Sequence, residues 1–272
     1  MIDLHSPASP VQSAYDRIAG DYDRQVAGDA WMRERLWQRY MALFRPGDHV
    51  LDVSCGTGID AIFLARSGIR VTAIDISPEM IERCRARAEE AKLDDLIEAL
   101  VLDHAQLGKL SSANYDGIIS AFAGLNTSSH LERFARDAAQ LLRPNGRVVV
   151  HMLNRVSLWE WLSLLAHGRW DDARSLGHNA QRTFEIGGVP VVHTLYSPLA
   201  AYRQYFAANF RLERAYALGV LRPPHDLRRI PEPVTHLLGH LETRLGAHRP
   251  WLNRGRFFVL ELVKRSSDDV PA

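Results

Sequence analysis

At 272 residues, with 46% hydrophobic and 24% charged side chains, the chain is long enough for one α/β domain with an elaboration, or for two small domains. A formal net charge of +1 gives no global field for nucleic acid or for an anionic membrane surface. The two cysteines, Cys55 and Cys84, form no disulfide framework and point to a reducing, cytoplasmic setting. The opening MIDLHSPASP lacks the apolar segment of a signal peptide, and no run reaches the roughly 20 apolar residues that span a bilayer.

Residues 1–45 read as an N-terminal helical cap segment. Met1 to Pro10 is loosely packed; Val11 to Phe44 is mostly helical and carries Tyr15, Tyr22, Trp31, Trp37, Tyr40 and Phe44. R-P-G-D at 45–48 makes a turn. Val50, Leu51 and Val53 then suit a buried parallel strand. Gly56 and Gly58 flank Thr57 where the backbone must turn sharply and leave room for a ligand. Ile59 to Ser67 has helical spacing, Gly68 ends that helix, and Ile69 to Ile74 is a second strand closed by Asp75. Ser77 is an N-cap, Pro78 suits the first helical position and Glu79 the first turn, so Ser77 to Lys92 is a helix. Ile97 to Leu102 is a third strand ending in Asp103-His104, and Tyr115 to Phe122 is a fourth. A helix over Ser128 to Leu142, the turn Arg143-Pro144-Asn145-Gly146 and a fifth strand over Arg147 to Met152 complete the core, residues 46–152. Strands alternating with helices predict an α/β fold with a doubly wound, mostly parallel, Rossmann-like sheet.

Beyond Met152 the pattern changes. Asn154 to Leu176 is helical and aromatic-rich, with Trp159, Trp161 and Trp170. Arg182 to Tyr196 is a hairpin around Gly187-Gly188. A helix over Pro198 to Asn209, a strand over Arg211 to Leu218, a loop over Leu221 to Pro233, a helix over Val234 to Leu245 and a strand over Arg256 to Val263 follow, with SSDDVPA frayed. The sheet thereby reaches seven strands.

Two nucleotide sites share the strand–glycine turn–helix–strand logic. A dinucleotide fingerprint needs G-x-G-x-x-G and a pyrophosphate at the helix start. Here the order is D-x-S-C-G-T-G, Ala61 stands at the third glycine position, and Asp52 would repel a pyrophosphate while suiting a cationic ligand. An acid at the end of the second strand, Asp75, can hold ribose hydroxyls. This stretch resembles motif I of the class I S-adenosylmethionine-dependent methyltransferases, with Ser54 where that family usually has its first glycine. AIDISPEM, the Y-D-x-I-x-S opening of the fourth strand and LLRPNGRVVV extend the resemblance. AYDRIAGDYD resembles the segment that folds over the cofactor in the small-molecule enzymes of the ubiquinone/menaquinone biosynthesis group. The resemblance covers roughly residues 11–152; the remainder, residues 153–272, matches in architecture alone, as an inserted lid after strand five plus the closing strands.

The resemblance implies S-adenosyl-L-methionine as cofactor and a small-molecule methyl acceptor, with nucleic acid excluded as partner and a homodimer left open. In that scheme Gly56 and Gly58 let the backbone approach the methionine part, and Asp52 reaches its amino group. Asp75 takes the ribose, Ile76 and Met80 pack on adenine, and Asp103, with His104 alongside, accepts from its amino group. Ala121 and Phe122 face the methyl end, and Tyr15 and Tyr22 line the site. His151, at the end of strand five, is the best-placed base by topology; His193 and His225 are weaker. No residue grouping has metal-ligand spacing. The tryptophans 159, 161 and 170 line an aromatic acceptor pocket or pack a lid helix. Arg222 to Arg229 grips an acidic acceptor or is a solvated loop. The rivals are an NAD(P)-dependent oxidoreductase, which Asp52 and Ala61 disfavour, and a non-catalytic cofactor-binding module.

Overall fold

The computed structural model describes residues 8–110, 114–223 and 231–266. His225, most of the 222–229 stretch, the first seven residues and 267–272 lie outside the described residues. The loosely packed start ends sooner than the sequence suggests: the Ser9 hydroxyl accepts from the Gln12 N–H at 3.1 Å and caps α1 (Pro10–Ile18). α2 (Tyr22–Val26) and α3 (Ala30–Leu43) follow. Met32, Leu36 and Tyr40 recur along α3 at a spacing of four and are buried on one face of the sheet.

The core is β1 (His49–Val53), α4 (Ile59–Arg66), β2 (Arg70–Asp75), α5 (Pro78–Glu90), β3 (Ile97–Val101), β4 (Tyr115–Ser120), α6 (Leu131–Leu141) and β5 (Leu142–Leu153). Then come α7 (Leu158–Ala166), α8 (Trp170–Ser175), and the hairpin β6 (Gln181–Ile186) and β7 (Val189–Thr194). α9 (Pro198–Ala201), β8 (Phe210–Leu218), α10 (Glu232–Leu245) and β9 (Phe257–Lys264) close the chain. The seven-stranded sheet has the order β3-β2-β1-β4-β5-β9-β8, and the hairpin stands apart as a two-stranded sheet. The pairs from β3 through β5 are parallel, while β9 runs antiparallel to both β5 and β8. No helix of the described residues is long and apolar enough to cross a membrane.

Alternation along β1 divides two cores. Val50 turns to the face covered by α3, α4 and α5; Leu51 and Val53 turn to the face covered by α6 and the segment after α9. Fully buried side chains such as Leu36, Leu51 and Leu64 each contribute about 1.5–3 kcal/mol by leaving water. Three boundaries differ from expectation. β5 begins at Leu142, because the R-P-N-G turn is absorbed as an irregularity opposite Tyr115 and Gly117 of β4. The helix read from Ser128 starts at Leu131, after a 3₁₀ turn over Gly124–Thr127. The helix read over 198–209 is a four-residue α9 that widens into a π turn over Tyr202–Phe206.

Candidate active site

The site is built at the carboxyl end of β1. After Val53 the chain turns through Ser54, with φ +59°, and Gly56, with φ +55°, and enters α4 at Gly58, with φ +79°. The Cys55 N–H donates to the Ile74 carbonyl at 3.0 Å, tying the turn to β2. At the end of β2, Asp75 is held from two sides. Its Oδ2 accepts from the Gly56 N–H at 2.9 Å and its Oδ1 from the Ser77 N–H at 2.9 Å. Each oxygen keeps a further lone pair. Burial pushes the carboxyl up to about 6; the Ser77 and Gly56 N–H groups oppose that rise, and the nearby Asp16 adds to it. Ser77 also caps α5, its hydroxyl accepting from the Met80 N–H at 3.1 Å.

Asp75 lies on the wall of a cavity of about 230 Å³. Of the residues singled out from sequence, Tyr15, Tyr22, Gly56, Ile76, Asp103, His104, Ala121 and Phe122 line the same cavity. α1 and α2 supply the tyrosines, whose rings meet edge to face with centroids 6.4 Å apart. Burial holds both phenols protonated, pushing Tyr15 up and Tyr22 up to about 12. A Cβ on Gly56 would stand 3.4 Å from the Tyr22 ring, so the turn and the cap are in van der Waals contact there. Asp103 Oδ1 accepts from the Ala105 N–H at 2.8 Å and lies 3.5 Å from His104 Nδ1. Burial lowers the His104 pKa, and Asp103 opposes that fall.

Five candidate residues stand outside the cavity lining. Gly58 faces α5: a Cβ there would clash with Cys84 Sγ, so the missing side chain lets the turn pack on α5. Met80 is fully buried against Ile18 and Ala19, behind the tyrosines. Asp52 is 1% exposed, and its Oδ2 has no hydrogen-bond partner. Burial and, after it, Asp60 push its carboxyl well above the usual range. Asp60 itself is ion-paired to Arg33 and accepts from Trp37 Nε1 at 2.7 Å. His151 is 1% exposed; its Nδ1 accepts from the Phe122 N–H at 3.2 Å, and its Nε2 is buried without a partner. Burial, then Arg33 and Arg256, lowers it to about 3, so the ring is neutral. His193 is buried in the hairpin, with Phe184 edge-on at 5.0 Å.

Sequence reasoning missed Ser9, Val11, Ala105, Gly124 and the run Thr127-Ser128-Ser129, all of which line the cavity. The signal for the last group was a polar run following the small residues AFAGLN. Phe122 and Ala123 take positive φ of +50° and +67°, which bends the end of β4 into the cavity wall. Asn126 pins that segment: its Nδ2 donates to the Thr194 carbonyl at 2.6 Å and its Oδ1 accepts from the Leu153 N–H at 2.9 Å. Past it lies a second cavity of about 380 Å³, lined among others by Leu153, Trp159, Phe184 and Arg256. Trp159 thus faces a cavity, whereas Trp161 and Trp170 are 38% and 58% exposed and line none of these cavities.

A glycine turn held by an acid from the next strand, in a sheet of this order with one reversed strand, defines a nucleotide-binding α/β domain of the methyltransferase type. Residues 50–146 match the family described as "Methyltransferase domain". The matched stretch runs from β1 into β5, the core that carries the glycine turn and Asp75. The demethylmenaquinone methyltransferase of Symbiobacterium thermophilum is 36% identical over 161 residues, 53% of this chain and 62% of that protein. The 27-O-demethylrifamycin SV methyltransferase of Amycolatopsis mediterranei is 34% identical over 136 residues, 48% of each chain. The chain spans about three fifths of the length of the curated relatives it matches, 62% and 57% in two of them. The crystal structure of the [4+2]-cyclase SpnF superposes with a TM-score of 0.61 over 96% of this chain and 98% of that one, at 16% identity. That likeness extends the shared fold over nearly the whole chain, including the segments after β5.

Proposed function

We propose that the protein is a methyltransferase that moves a methyl group from S-adenosylmethionine to a small-molecule acceptor by in-line displacement. The observation that carries the reading is the Asp75 carboxylate, held by the Gly56 and Ser77 N–H groups on the wall of a cavity that gathers most of the expected residues. The cofactor brings its methyl on a sulfonium, so the protein's task is to bind, orient and exclude water. In this reading Asp75 accepts from the ribose hydroxyls, and Ile76 packs on the adenine. Asp103, with His104 beside it, receives the exocyclic amine. Gly56 leaves room beside the turn, Tyr15 and Tyr22 cover it, and Ala121 and Phe122 border the methyl end.

The reading routes no proton through His151. Its Nδ1 is engaged by the Phe122 N–H, so the ring positions the end of β4 rather than acting as a base. Residues 1–45 then act as a cap, 46–152 as the cofactor core and 153–272 as an acceptor-side lid with the closing strands. The cavity under Trp159 and Phe184 supports an acceptor with a ring system, in keeping with what the relatives are named for.

Calorimetry with S-adenosylhomocysteine tests the cofactor step, and absence of binding at about millimolar ligand defeats it. Binding of reduced nicotinamide dinucleotide instead would favour an oxidoreductase. Mass spectrometry of a library of phenolic, quinol and macrocyclic acceptors, searched for one added methyl, tests turnover. Tight cofactor binding with no methylated product would leave a binding module.

A further inference from the structure

On the far side of α3 from the Arg33–Asp60 pair lies a small cavity of about 150 Å³, whose residues are all distinct from those of the cofactor cavity. α3 lines it with Trp31, Arg35, Gln38 and Arg39, spaced four, seven and eight residues from the first, one helical face. β8 adds Arg214 and Tyr216, which alternation places on one side of the strand, and α10 adds Gly239 and Glu242.

The charges here do not cancel. Arg39 is satisfied by a two-pronged pair with Glu261, at 2.7 and 2.8 Å. The Glu242 carboxylate is consumed by the chain, accepting from the N–H groups of Gly219, Val220, Leu221 and Arg222 at 2.8–3.1 Å. That leaves Arg35, whose guanidinium donates to the Gly239 carbonyl at 3.3 Å, and Arg214, which forms no ion pair among the described residues. Between them stands Tyr216. Its hydroxyl is buried with no partner, and burial keeps it protonated, a donor with nothing to donate to. A buried donor without a partner is a group that an incoming acceptor would satisfy. The Trp31 ring, Ala217 and Leu218 add apolar wall, Gln38 adds a polar side chain, and Arg222 stacks 4.6 Å from the centroid of the Trp31 ring.

We propose that this cavity binds a small carboxylate with a flat apolar body, its two oxygens taking donors from Arg35, Arg214 and the Tyr216 hydroxyl and its body lying against Trp31. Planar guanidinium forks match a carboxylate in two bonds at once. The ligand would sit against the back of the helix that presents Arg33 to Asp60, separate from the methyl-transfer cavity.

The test uses the full chain and sodium benzoate as probe, with hexanoate and inorganic phosphate as the other arms, followed by calorimetry and by quenching of tryptophan fluorescence. The parent protein should bind benzoate, and more weakly hexanoate. Arg214→Gln, at an exposed position, and Tyr216→Phe should each weaken benzoate by about tenfold, one charged or one buried hydrogen bond, while S-adenosylhomocysteine affinity stays unchanged in both. No benzoate binding up to about 50 mM, equal benzoate affinity in parent and Arg214→Gln, or phosphate bound more tightly than benzoate would each overturn the proposal. Should Tyr216→Phe fail to fold, Arg214→Gln alone decides it.

Discussion

Replacing Asp75 by asparagine tests the candidate site against the physics of its burial. In the folded chain this carboxyl is pushed up from 3.8 to about 6, because lost solvent outweighs the N–H groups of Ser77 and Gly56. Folding therefore favours its protonated form. The stability it contributes is fully present below the unfolded value of 3.8 and is lost as pH rises through about 6. At about 1.4 kcal/mol per unit, the charge costs the ligand-free protein about 3 kcal/mol at neutral pH and above. Asp75→Asn removes that charge at every pH. The single oxygen of asparagine leaves the Gly56 or Ser77 N–H facing an amide donor, a constant cost of about 1–3 kcal/mol, so the mark of the lost charge is the pH dependence: without cofactor, the variant's stability relative to its parent should rise by about 1.5 kcal/mol from pH 5 to pH 8, read from urea unfolding at the two pH values. Yet it should bind S-adenosylhomocysteine about 10- to 100-fold more weakly, since bonds from hydroxyls to an ionised oxygen are the stronger ones. In the parent, affinity should fall about tenfold per pH unit below about 6, and in the variant the Asp75 share of that slope disappears. A stability difference that does not change between pH 5 and pH 8, or a variant that binds the nucleoside as well as its parent, would refute the assignment.

Gly58→Ala should destabilise by about 3 kcal/mol, combining left-handed strain with overpacking against Cys84 Sγ. Adding Cys84→Ala should recover about 1–2 kcal/mol of the overpacking share in a double-mutant cycle, and strict additivity would show that the thiol is not the obstacle. Arg33→Met strands the buried Asp60 carboxylate and should cost about 3–5 kcal/mol by denaturant titration, most of it restored by Asp60→Leu in the same chain. Tyr22→Leu should weaken S-adenosylhomocysteine by about tenfold while Tyr22→Phe holds, since the ring rather than the hydroxyl covers the turn; equal losses in both would assign the effect to the hydroxyl.

The elements that were legible in the sequence are those whose cause is local. Ser77-Pro78 announces the start of α5 because capping and a fixed proline φ act within one turn. Asp75 was legible because it closes an apolar strand one helix away from a glycine turn. Even the face of Asp52 follows from alternation with Val50. What surrounds Asp52 was not legible: Arg33 and Trp37 arrive from α3, and only tertiary packing brings them to Asp60. The two glycines of the turn were given one role, but residues far along the chain separate them, Tyr22 at Gly56 and Cys84 at Gly58. The left-handed Phe122 and Ala123 carry no glycine or asparagine to mark them, so the bend that aims β4 into the cavity left no trace in residue type. For His151, topology gave the position correctly, at the end of β5. Burial and the Phe122 N–H then decide what the ring can do there.

The order of the last two strands bears on synthesis. β9 comes after β8 in the chain yet lies between β8 and β5. A nascent polypeptide that has left the ribosome as far as Arg256 holds its whole nucleoside-binding half, but the rim of β5 is still bare, and β8 has no neighbour to join. Only when Phe257 to Lys264 emerge do both ladders form and cover that rim; stalling the message just before Phe257 should therefore yield chains that aggregate through it.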